Sequence, residues 1–99
     1  MVRLDIDSVR AGDELTGTSD RLTAIGVDLV RVERCPAATI EFPVASVVPA
    51  RDGTFALTVP DDIPPTTLGQ SCELSWRVRT RSDGDGERGY DYADVEVLA

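Results

Sequence analysis

The 99-residue chain contains no histidine, no lysine and no asparagine, so every cationic side chain is an arginine. Each absence closes off chemistry. Without imidazole there is no Ser-His-Asp or Cys-His centre, no histidine-ligated zinc or haem, and no proton shuttle near neutral pH. Without a lysine amine there is no Schiff base and no Walker-type phosphate-binding lysine. Aromatic residues are few: one Trp, two Tyr and two Phe. Long apolar runs are missing too, so nothing has the length of a membrane span or of the apolar region of a signal peptide. The start of the chain, Met1 to Asp7, alternates apolar and charged residues instead. These features predict a cytoplasmic protein without membrane insertion, and not an enzyme.

What is present is acidic: 18 Asp and Glu against 10 Arg, for a formal charge of −8. That balance opposes nucleic-acid binding, which requires a basic face to neutralise phosphates. Acidity of this kind keeps a chain soluble, and it is common in proteins from high-salt or GC-rich genomes. Cys35 and Cys72 are too few for a tetrahedral zinc site. In a reducing compartment they are expected as free thiols rather than as a disulfide. No cofactor is expected. The length predicts one domain spanning residues 1–99 with a modest core.

Periodicity of two dominates and helical spacing is nearly absent. Val2, Leu4 and Ile6 alternate with Arg3, Asp5 and Asp7 as a first strand. A turn at Ala11-Gly12-Asp13 leads to a short strand, Glu14 to Thr18. A longer strand from Leu22 to Glu33 carries Ile25, Val27 and Leu29 on one face. At Leu29-Val30 the apolar parity switches, which predicts a bulge or a twist across two sheets. Pro36 ends that strand, and Pro43 within Thr39–Val44 suggests an edge position. After the turn Arg51-Asp52-Gly53 come Phe55, Leu57 and Val59. The clearest strand points Cys72, Leu74, Trp76, Val78 and Thr80 inward, with Glu73, Ser75, Arg77, Arg79 and Arg81 outward. A loop from Ser82 to Gly89 then precedes a last strand, Tyr90 to Leu98. About seven strands separated by Gly and Pro turns define an all-β antiparallel sandwich.

Two stretches give that sandwich a family likeness. Val9-Arg10-Ala11-Gly12-Asp13-Glu14-Leu15-Thr16-Gly17 resembles the turn and Gly-terminated strand of the arrestin-like family of immunoglobulin-like domains. Phe55 to Pro60, Ile63-Pro64-Pro65-Thr66 and Leu74-Ser75-Trp76-Arg77-Val78 are similar to its strand, Pro-Pro crossing and following aromatic strand. The resemblance implies an arrestin-like β-sandwich, with a strand shortened or lost between Gly17 and Ile25. Pro64 and Pro65 hold the crossing extended whatever the family, with Ile63 and Leu68 closing the end of the core. In such a sandwich the strands closed by Cys35 and opened by Cys72 are neighbours, so the two sulfurs come close in space.

Three candidate sites remain. Arg77, Arg79 and Arg81 line one strand face, suited either to an acidic or phosphorylated peptide or to cross-strand pairing with neighbouring acids. Asp83, Asp85 and Glu87 open a twelve-residue window with calcium-loop-like spacing. Arg88 stands where that loop needs Gly, so the three are weak metal candidates and an exposed loop is the main expectation. Asp61-Asp62 diverge in an extended segment and do not make an acid/base pair. The chain therefore reads as a non-enzymatic protein-binding or scaffolding module. Its partner is a protein or a second copy engaged through a sheet edge. The alternatives are a structural accessory domain or a weak calcium-binding sandwich.

Overall fold

The computed structural model describes residues 2–20, 24–68, 72–84 and 87–98. Nine strands run in chain order: β1 (Val2–Leu4), β2 (Ser8–Arg10), β3 (Glu14–Ser19), β4 (Ala24–Cys35), β5 (Ala38–Val47), β6 (Thr54–Thr58), β7 (Thr67–Leu68), β8 (Glu73–Gly84) and β9 (Glu87–Leu98). They form a three-stranded sheet, β1-β3-β6, facing a larger one in the order β2-β9-β8-β4-β5, with β7 added to β8. The all-β sandwich is as expected. The count among the described residues exceeds the expected seven by two short strands, β2 and β7.

Between the sheets lie Leu15, Val27, Leu29, Leu57, Val59, Trp76, Val78 and Val97, each at most 2 % exposed. Trp76 is the central aromatic, and its indole N–H donates to the Pro64 carbonyl at 3.1 Å. The same connection is fixed to β9, where Thr66 N–H donates to the Val97 carbonyl and Thr66 Oγ1 accepts from the Val97 N–H. Ile63 packs against the core beside them, as the sequence suggested. The side chain of Leu68, its expected companion, lies outside the described residues.

The first strand is not continuous. Asp5 N–H still donates to Thr16 in the small sheet, whereas the Asp7 carbonyl already accepts from Glu96 in the large one. The chain changes sheets at Ile6, which is therefore exposed and not on the core face expected for it. Beyond the crossing, β2 runs parallel to β9. Ile25 is likewise exposed, while Val27 and Leu29 reach the core. The apolar parity changes at Leu29-Val30 without the bulge in β4 that the pattern suggested: β4 pairs residue by residue with β8 from Gly26 to Arg34, and the irregularity lies in its other neighbour. Against β5, Leu29 faces Ala45 but Val30 faces Pro43, so Val44 is the extra residue of a bulge. Val30 and Val32 are buried on the opposite face of the sheet from the core.

The loop expected from Ser82 to Gly89 is shorter than that. Strands β8 and β9 pair out to Gly84↔Glu87, leaving two residues between them. At the other turn Gly53 has φ +89°, and a Cβ there would strike the Ser19 carbonyl, so this position needs glycine. Asp52 Oδ1 accepts from the Thr54 N–H and hydroxyl, and those bonds hold its carboxyl below the ordinary carboxylate range.

Candidate protein-interaction face

The outer face of the large sheet is built by four neighbouring strands. Strand β8 supplies Arg77, Arg79 and Arg81; directly opposite on β9 stand Asp94, Tyr92 and Tyr90. On the other side β4 places Val30 opposite Arg77, Asp28 opposite Arg79 and Gly26 opposite Arg81. Beyond β4, β5 brings Ser46 opposite Asp28 and Glu41 opposite Val32.

Asp28 organises this face. Its carboxylate is 1 % exposed, although the strand pattern alone would have put it in solvent. Arg79 donates to Oδ2 through Nε at 3.0 Å and through its terminal nitrogen at 2.8 Å. Arg81 Nε lies 2.8 Å from the same oxygen, and the Ser46 hydroxyl donates to Oδ1 at 2.7 Å. Charge-assisted bonds to both oxygens offset the cost of removing the carboxylate from water. Gly26 makes the approach possible, since any Cβ there would collide with the Arg81 guanidinium.

The third arginine, Arg77, pairs with Glu41. Its guanidinium also lies 4.5 Å from the Tyr92 ring centre, as that of Arg79 lies 5.1 Å from Tyr90. Three guanidinium groups thus meet two carboxylates and two aromatic rings. The structure brings the arginine row together as the sequence proposed, and it supplies cross-strand acids for each member. Tyr90 and Tyr92 remain about two-fifths exposed at the rim of this face.

The other candidates fare differently. Asp85 and the side chains of Asp83 and Glu87 lie outside the described residues, and no cluster able to hold a metal occurs among the described ones. Cys35 and Cys72 form a disulfide, Cα to Cα 4.3 Å. This corrects the free thiols expected from composition. Strand pairing decides it: continuing the Arg34↔Glu73 register sets the two cysteines opposite each other. Below the arginine row an open groove of about 570 Å³ sets Arg34 and Arg77 among Asp7, Glu73, Asp94 and Glu96, so its lining is acidic on balance and does not extend the cationic row.

Sequence reading missed Asp28, Glu41, Ser46, Tyr90 and Tyr92 as parts of one face. Only Asp28 gave a signal, as a lone charge within Gly26-Val27-Asp28-Leu29-Val30.

Two packed sheets, antiparallel except where β2 joins β9, form a β-sandwich of arrestin-like fold. The whole of it superposes on 48 % of Spo0M, a sporulation control protein from Bacillus subtilis, with a TM-score of 0.61 and 18 % sequence identity. The chain therefore spans about half the length of that protein, and the likeness is one of fold. No family model matches the sequence, and no curated protein does.

Proposed function

We propose that this domain acts without catalysis, as a protein-binding or scaffolding module whose contact surface is the large sheet. The carrying observation is the outer face just described: Arg77, Arg79 and Arg81 are held in place on a rigid strand, flanked by two exposed tyrosines. An acidic or phosphorylated segment is the chemistry such a row suits, with Arg81 the most accessible of the three at 38 % side-chain exposure. Such a segment would compete with Asp28 and Glu41, which favours modest affinity. Likeness to a regulatory protein's fold supports a non-enzymatic role but transfers no activity. A cytoplasmic location is the reading of the sequence; the Cys35–Cys72 bond speaks against it, since disulfides persist in oxidising compartments. No helix among the described residues is long and apolar enough to cross a membrane.

Cross-linking in the source cells tests the proposal, comparing the wild type with Arg77→Ser/Arg79→Ser/Arg81→Ser and with Ile40→Lys at the β5 edge. The proposal expects protein adducts of the wild type that disappear in one of the variants. An identical set, or none, for all three chains would overturn it.

A further inference from the structure

Although the chain carries −8, the only charges between residues 30 and 50 are Arg31, Glu33, Arg34 and Glu41, which cancel. The rest of the chain holds the entire excess. That neutral segment contains β5, which among the described residues is one of the two edges of the large sheet, the other being the three-residue β2. Two copies of so acidic a chain repel over most of their surface, and least of all here.

Backbone polarity along this edge follows from the register. Cys35 stands opposite Ala38 across a two-residue turn and, on its other side, opposite Cys72 at the short Cα separation of 4.3 Å. Opposed antiparallel residues that close are the non-hydrogen-bonded kind, so the Cys35 N–H and C=O turn away from β8 and towards Ala38. Alternation then directs the backbone groups of Ala38, Ile40 and Phe42 to β4, and those of Thr39 and Glu41 to the open side. Pro43, the next outward position, has no N–H to offer, and the bulge bends the strand there. The usable edge is Ala38–Phe42, symmetric about Ile40.

Its side chains suit self-pairing. Ile40 is 54 % and Phe42 38 % exposed on one face. Glu41 and Glu33 are engaged within the molecule by Arg77 and Arg31, leaving a charged peptide little to recognise. We infer that the β5 edge receives a second copy of this chain in an antiparallel, two-fold pairing centred on Ile40, an inference that rests on the protein-binding reading above. Thr39 then meets Glu41 of the second copy, twice, and each pair exchanges both backbone hydrogen bonds. Ile40 meets its own counterpart as a close non-hydrogen-bonded pair, and no like charges stand opposite each other. Five residues a side make a small interface, so the dimer is weak.

Sedimentation equilibrium from about 10 µM to about 1 mM tests this. The wild-type average mass should rise with concentration. Ile40→Lys, which sets two ammonium groups at the axis, should raise the dissociation constant at least about tenfold. Under mild oxidation Ile40→Cys should form a covalent dimer and Thr39→Cys should not, because only the axial residue faces itself. A wild type monomeric throughout, or an unaffected Ile40→Lys, overturns the second copy as occupant. Cross-linking to a different protein that Ile40→Lys abolishes would then still uphold the binding-module reading, whereas its absence with both variants would defeat that reading separately.

Discussion

Strand β4 has two neighbours, and they treat it oppositely. On the β8 side it is tied by the Cys35–Cys72 disulfide at one end and by Asp28 gripping Arg79 and Arg81 further along. On the β5 side the register slips at a bulge, a proline interrupts the strand, and Ile40 and Phe42 are left partly exposed. One strand thus has a closed seam and an adaptable border. The closed side fixes the arginine and tyrosine face in one geometry. The open side has groups left to give, both apolar side chains and unpaired backbone. Rigidity next to an unfilled edge is the arrangement a binding sandwich needs, because the edge is presented at a fixed angle to the rest of the sheet.

Breaking the closed side should have the largest effect. The disulfide spans a sequence separation of 37 residues, for which loop-closure entropy gives roughly 3–4 kcal/mol. Reduction, or Cys35→Ser with Cys72→Ser, should therefore lower the melting temperature by roughly 15–25 °C in calorimetry. A shift of only a few degrees would mean that strand pairing alone holds the seam. Next comes Asp28→Ala, which strips Arg79 of its hydrogen-bond acceptor and Arg81 of its ion-pair partner. Because those arginines keep partial access to water, we expect about 2–3 kcal/mol in urea unfolding rather than the larger loss of a fully buried pair. On the open side Ile40→Lys should change the stability of the monomer by no more than about 0.5 kcal/mol. The contrast fails if that exposed substitution costs as much as Asp28→Ala.

Much of this architecture was legible because alternation reports burial directly. Phe55, Leu57, Val59, Trp76 and Val78 all point where their parity says. Pro43 announced the edge, whereas the parity switch at Leu29-Val30 reflects Val30 and Val32 being buried on the outer face of an unbroken β4, the bulge falling at Val44 on β5. What alternation does not encode is a change of sheet. Asp5-Ile6-Asp7 continues the pattern of Val2-Arg3-Leu4 without a break, yet the hydrogen bonds change partner there and leave Ile6 outside. Local pattern also says nothing about which residues meet across strands. Asp28 reads as an outward charge, and only the register that sets it between Arg79 and Ser46 makes it a buried organiser. Composition pointed to free thiols at Cys35 and Cys72, but the register of β4 and β8 places them face to face. Strands β8 and β9 pair further than the pattern suggested, out to Gly84↔Glu87, because the many acids between them read as an open loop.

The difference between the two borders of β4 rests on which backbone groups of β5 face outward, and amide hydrogen exchange reads this residue by residue. In dilute solution Thr39 and Glu41 should exchange rapidly while Ile40 and Phe42, bonded to β4, are protected. Fast exchange at Ile40 and Phe42 with protection at Thr39 and Glu41 would contradict the account, because the edge would then offer the opposite set of groups.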